Sequence, residues 1–232
     1  MSDHEPRSYA TKSDFAYTRL REGILAGTFA PGAVLQQSML AKTIGISTTP
    51  LREALRRLMS EGLVELDAHR DARITPLTLE EARDLIELRL SLDPLAASLA
   101  AQRRTRDDIR NMRERFEFNE PLTNNPTVAK LTTHRVFHQA IYEASHNELL
   151  IATLNGLWDK ADRYRRLGLN VPRTAEERAV KAREHRELLE AVIRGDSEAA
   201  SQVMVEHITT SLGARAASHL GAEVTPTLAP LA

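Results

Sequence analysis

Cysteine is absent from the 232-residue chain. That excludes disulfides and thiolate metal sites, and makes a cytoplasmic location the expected one. Aromatic residues are scarce, at 4% with a single Trp, so the core must be built from Leu, Ala, Ile and Val. Such a core suits packed helices better than a β-sandwich. No stretch of about 18 apolar residues occurs, so no membrane partner is expected. The opening MSDHEPRSYATKSD lacks an apolar segment and does not read as a secretory signal. An excess of positive charge is missing too. The net charge of −1 argues against a chain that coats nucleic acid, but leaves room for a local DNA-binding face. Between Lys12 and Arg73, 9 Lys+Arg stand against 7 Asp+Glu, a difference of +2. Any DNA reading must therefore rest on pattern. Neither a short repeat nor low complexity is present.

What is present is a change of pattern near Pro76. Residues 1–12 are polar and without periodicity, and read as disordered. A helix fits 14–26, with Ser13 or Asp14 as cap and Gly27 as stop. A short helix fits 36–44, with Met39, Leu40 and Ile44 inward, and Gly45 ends it. Ser47, Thr48 and Thr49 are capping types. A third helix runs from there to Glu61, burying Leu51, Ala54, Leu55 and Leu58. Two short strands, 63–66 and 72–75, flank a polar tip. This gives a first domain over 13–76. From 77 to 217 only helical patterns occur: 79–103, 106–119, 128–144, 148–167, 174–194 and 196–217. The tail 218–232 reads as disordered. The fold class is thus mainly α: an N-terminal winged helix-turn-helix with a small β-wing, and a C-terminal all-α bundle of six helices.

Two short helices joined by a glycine turn, then a third helix and a wing, can present the third helix's start to a major groove. Small hydroxyls at Thr48 and Thr49 suit phosphate, and Arg52 one turn in suits phosphate or guanine. Arg56 on the same helix, and His69 and Arg70 at the wing tip, are further candidate DNA contacts. The stretches YTRLREGILAGTFAPGAVL, LAKTIGISTTPLREALRRLMSEGLVEL and RITPLT resemble the GntR family of bacterial repressors. The resemblance covers about residues 17–78. It implies a homodimer bound to double-stranded operator DNA carrying an inverted repeat. Three positions depart from the family pattern: Thr48 and Ser38 where Arg is usual, and Asp71 in place of the wing-tip glycine. Base readout should differ accordingly, although Arg52 matches.

Four of the eight His fall on apolar helix faces. His134 and His138 are four apart and share a face with Leu131 and Ile141. His185 aligns with Leu188, Leu189 and Val192, and His207 with Val203 and Met204. If Gly195-Asp196 closes an antiparallel hairpin, His185 and His207 stand at equal height. Neutral buried imidazoles are what a divalent metal needs. The stretches FHQAIYEASHN, EHRELLEAVIRGDSEAA and MVEHI resemble the FCD effector domain of the FadR branch, over about residues 79–217. The count of six helices resembles its smaller VanR-type subgroup. In that domain an Asp or Asn and three His hold a metal. His138, His185 and His207 match the three His, and His134 stands at the acid's position. An all-nitrogen set suits Zn²⁺ first, with Ni²⁺, Co²⁺ or Cu²⁺ also compatible. The resemblance implies an open metal position for water or an effector carboxylate, and places Arg89 in the stretch lining the pocket. Arg can clamp a carboxylate in bidentate fashion.

The reading is therefore a transcriptional repressor controlled by a small organic acid, and not an enzyme. A regulator for which the metal is itself the signal is an alternative. A zinc hydrolase is more remote, because residue 135 is Arg where the HExxH helix carries its general base.

Overall fold

A computed structural model of the chain describes residues 11–66, 71–119, 122, 128–169 and 172–221. They form two compact units that divide between Leu77 and Thr78. No described helix is long and apolar enough to cross a membrane.

The first unit contains α1 (Lys12–Leu25), β1 (Val34–Leu35), α2 (Gln37–Ile44), α3 (Thr48–Ser60), β2 (Val64–Leu66) and β3 (Ala72–Ile74). Its antiparallel sheet has the order β1-β3-β2, with Val34 opposite Arg73 and Val64 opposite Ile74. Leu20, Ile24, Leu51, Leu55, Leu58 and Ile74 form its core. Gly45 ends α2 in the left-handed region (φ 77°), where its N–H reaches the carbonyl of Ala41. Three details differ from expectation. Thr11, not Ser13 or Asp14, caps α1: its hydroxyl accepts from the N–H of Asp14. Met39 is 64% exposed, because Leu40, Ala41 and Ile44 already fill the inward face of so short a helix. The wing also gains a third strand, β1, too short for any periodicity to reveal.

The second unit is all-α: α4 (Leu79–Arg103), α5 (Arg106–Glu117), α6 (Val128–Glu143), α7 (Glu148–Leu169), α8 (Ala175–Arg194), α9 (Ser197–Thr209) and α10 (Leu212–Leu220). Threonines start three of them. Thr78 caps α4, while Thr105 and Thr174 form capping boxes with Asp108 and Glu177. The last helix expected as one piece, 196–217, is two, so the described residues hold seven helices rather than six. The break lies at Thr210-Ser211. Thr210 turns its hydroxyl back to the carbonyl of Glu206, and Ser211 adopts extended backbone and caps Ala214. Short hydroxyl side chains compete with helical bonding in this way. α10 then runs past the expected end at 217, to Leu220.

α4 packs against α6, α7, α8, α9 and α10. The scarce aromatics collect here: Phe137, Tyr142, Trp158 and Tyr164 are all fully buried. α7 and α10 meet at Gly168, where an added Cβ would collide with the carbonyl oxygen of Leu212. Backbone cannot swing aside as a side chain can. Gly168→Ala should therefore destabilise the chain by about 1–3 kcal/mol through overpacking, although alanine favours helix. Urea denaturation checks this, and unchanged or raised stability would show that the two helices can part freely.

Candidate functional site

In the first unit α3 turns Leu51, Leu55 and Leu58 fully inward. Thr48, Thr49, Arg52 and Arg56 are exposed on its other side. Ser47 precedes them in extended backbone and makes no side-chain cap bond. The Arg52 Nε donates to Oε1 of Gln37 on α2 at 3.2 Å, and Gln37 is itself buried. Arg52 is thereby tethered at one edge by a neutral partner and keeps its full charge. Arg57 is differently placed: it pairs with Asp14 at 2.8 Å and lies over the ring of Tyr17. It ties α3 to α1. His69 and Arg70 lie outside the described residues.

In the second unit four helix faces converge. His134 and His138 come from α6, His185 from α8 and His207 from α9. One ligand atom from each lies within 4.8 Å of the others. The left-handed Gly195 closes the α8–α9 hairpin, and the rings of His185 and His207 stand 4.5 Å apart between centroids. The Nε2 atoms of His138 and His185 are 3.2 Å apart. Two nitrogens bound tetrahedrally at Zn–N distances lie about 3.3 Å apart, so this pair already has metal spacing.

Second partners set the ring protons. Glu184 Oε2 lies 2.8 Å from Nδ1 of His207. A carboxylate there keeps the proton on Nδ1 and leaves the Nε2 lone pair free, the arrangement common behind metal-bound His. Lys181 fixes Glu184 at 2.7 Å and also donates to the His207 carbonyl. His134 differs. Its Nδ1 lies 3.1 Å from Nη2 of Arg165, and a guanidinium can only donate. The His134 proton therefore sits on Nε2, and neither nitrogen offers a lone pair while that contact lasts.

Burial lowers the pKa of all four imidazoles. Loss of solvation is the leading cause, and Lys181, Arg165 and Arg89 add to it at one ring or another. His185 is pushed down to about 3. At neutral pH the cluster is uncharged and ready to donate to a metal. His138 Nδ1 is buried without a hydrogen-bond partner among the described residues.

The cluster lines a cavity of about 390 Å³, with Arg89, Trp158, Arg165 and the apolar Leu122, Ile208 and Leu212. Arg89 is buried, and its Nε and Nη2 both reach Oδ2 of Asp93, which also accepts from Tyr142. Burial works against the Arg89 charge, but Asp93 overcomes it and raises the pKa. Arg89 and Arg165 flank Trp158 at 4.9 and 5.0 Å from its ring. Four of the five cations lining the cavity have a carboxylate partner: Arg89 with Asp93, Arg165 with Asp162, Lys181 with Glu184 and Arg215 with Glu177. The fifth, Arg173, donates to the Leu122 carbonyl. Glu184, Lys181 and Arg165 were not among the residues selected from sequence. Glu184 had one signal, its place beside His185.

Residues 12–73 match the bacterial regulatory proteins of the gntR family, and residues 84–210 match the FCD domain. The chain belongs to the GntR family. It is a DNA-binding transcriptional regulator with a C-terminal FCD domain, of the FadR-like branch. The uncharacterized HTH-type transcriptional regulator YdhC of Bacillus subtilis (strain 168) is 30% identical over 82% of this chain and 85% of its own. The HTH-type transcriptional repressor GlaR of Escherichia coli (strain K12) is 27% identical over 84% and 92%. Among solved structures, E. coli McbR/YncC superposes with a TM-score of 0.72 at 23% identity, over 87% of this regulator and 95% of that chain.

The depressed imidazoles predict an acid limb of stability. The unfolded chain titrates its His near 6.5, whereas the folded chain takes up the same protons only at lower pH. The stability is therefore complete above about 6.5 and is lost as pH falls toward the folded value, about 3 for His185. In chelator-treated regulator the urea midpoint should drop steadily from pH 7 to pH 4.5. His185→Gln should make that drop shallower. A midpoint that is flat over the range, or equally steep in the variant, would contradict the assignment.

Proposed function

We propose that this regulator is a repressor whose C-terminal domain holds one divalent metal through His138, His185 and His207 and responds to a small organic acid. The observation that carries this reading is the 3.2 Å approach of two buried Nε2 atoms beside a third ring whose Nδ1 is engaged by Glu184. His134 is the candidate fourth ligand, and binds only after releasing Arg165. Zn²⁺ suits the all-nitrogen set best, followed by Ni²⁺, Co²⁺ and Cu²⁺. The metal would supply a Lewis-acidic position for an oxygen ligand.

The charge balance of the cavity supports an anionic effector. The imidazoles are neutral and the lining cations mostly have their own acids, so the metal's two charges stand uncompensated. Arg89 and Arg165 line the same cavity and complete a site for a carboxylate. Metal analysis of the purified protein should show about one ion per chain, lost in His138→Ala and His185→Ala. Equal content in all three would end the proposal. Retention in His134→Ala would leave three histidines. Di- and hydroxy-acids should raise the melting temperature of metal-loaded but not metal-stripped protein. Stabilisation by neutral or cationic compounds alone would defeat the effector reading. Operator release by metal with no acid present would make the metal the signal.

The first unit reads one half-site through Thr48, Thr49, Arg52 and Arg56, with His69 and Arg70 as wing contacts. A homodimer in the cytoplasm then covers an inverted repeat. That GlaR is named a repressor supports the same sign of control here. Arg52→Ala should cost about 1–3 kcal/mol of operator binding at fixed salt. Unchanged affinity would remove α3 from the groove, and a footprint without two-fold symmetry would contradict the dimer.

A further inference from the structure

The outer face of α4 carries a stripe that its own unit leaves open. Leu88, Leu92, Leu95 and Leu99 recur at steps of four, three and four. On a helix of 3.6 residues per turn they share a sector about 60° wide, the rhythm of a coiled-coil seam. Leu88 is 49% exposed and Leu95 46%, and Leu92 and Leu99 are partly buried. The inward face of the same helix, with Ile86, Leu90, Ala97 and Ala101, is closed by packing. Four leucines in coiled-coil register on open surface mark a protein contact rather than scattered surface apolarity.

The ends of the stripe carry opposite charges. Asp84 lies one turn before Leu88, and Arg103 lies one turn after Leu99; both are exposed. The flanking Ser91 and Ser98 are small enough for close approach. If two copies pair antiparallel, Leu88 meets Leu99, Leu92 meets Leu95, and Asp84 meets Arg103. If they pair in parallel, Asp84 meets Asp84 and Arg103 meets Arg103. The pattern is thus self-complementary under a two-fold axis and repulsive otherwise.

We propose that this face of α4 is where a second copy of the regulator binds, with the two helices antiparallel and the axis passing near residues 93–94. The inference rests on the homodimer reading and adds to it the surface and the register. A standard interface buries about 800 Å² per partner. Four leucines supply only part of that, so Asp84, Ser91, Ser98 and Arg103 belong to the contact as well.

The lack of cysteine makes the test clean. Within one helix residues 88 and 99 lie about 16 Å apart, beyond any disulfide. A chain carrying both Leu88→Cys and Leu99→Cys can therefore cross-link only to another chain. Oxidised at micromolar concentration with diamide, the double variant should run as a covalent dimer on a non-reducing gel. Leu88→Cys alone and Leu99→Cys alone should stay monomeric, because like positions sit far apart in the antiparallel seam. Wild-type protein should be a dimer by light scattering, and Leu88→Glu/Leu95→Glu a monomer with its metal content retained. If wild type is a dimer but the double-cysteine variant gives no cross-link, the face is wrong and the dimer reading survives. If the single variants cross-link as readily as the double, the antiparallel register is overturned. If wild type is a monomer, both fall together.

Discussion

The second unit is organised around the cost of burying groups that prefer water. Four imidazoles, two guanidiniums and a carboxylate lie among its helices, where an unpaired charge is prohibitive. The solution differs by residue type. The imidazoles give up their charge, because desolvation lowers their pKa below neutrality. Arginine cannot do so, and each buried one is matched instead: Arg89 by Asp93 and Tyr142, Arg165 by Asp162. A set of neutral nitrogen donors inside a charge-balanced shell follows. Such a shell neither repels a divalent cation nor neutralises it, so affinity for anions arises only once the cation is present.

The same constraint explains the supporting residues. Glu184 touches His207 while Lys181 balances Glu184, and Lys181 also reaches Thr210 at the α9–α10 break. Arg165 touches His134 while Asp162 balances Arg165. Each histidine contact brings a further charge with it, which must in turn find a partner. Helices α6, α7, α8 and α9 are thereby linked by polar bonds as well as by packing. This is how a core poor in aromatic residues acquires one specific arrangement.

Much of this could be read from the chain. His134 and His138 are four apart, and the distances of His185 and His207 from Gly195 give equal heights, so local spacing brings the rings together. The helix starts are signalled by Thr78, Thr105 and Thr174. Local reasoning failed where partners are remote in sequence. Arg165 stands 31 residues from His134, and nothing in its own surroundings marks it. Arg89 was legible as a member of the pocket but not as half of a buried pair, because Asp93, although four residues on, reads equally well as a solvated i,i+4 partner. Gln37 offered only polarity. The break at Thr210-Ser211 was hidden by apolar positions that continue through it.

A net charge of −1 is compatible with operator binding because the first unit does not depend on bulk charge. Arg57 is neutralised by Asp14, so part of its small positive excess serves packing. Arg52, by contrast, is held by the uncharged Gln37. A carboxylate at that position would orient the guanidinium equally well but would compete with phosphate or guanine for its charge. The amide orients it without that competition. Weak general attraction together with a preoriented arginine favours discrimination between sites over non-specific affinity. A repressor that must leave most of the genome unoccupied needs that balance.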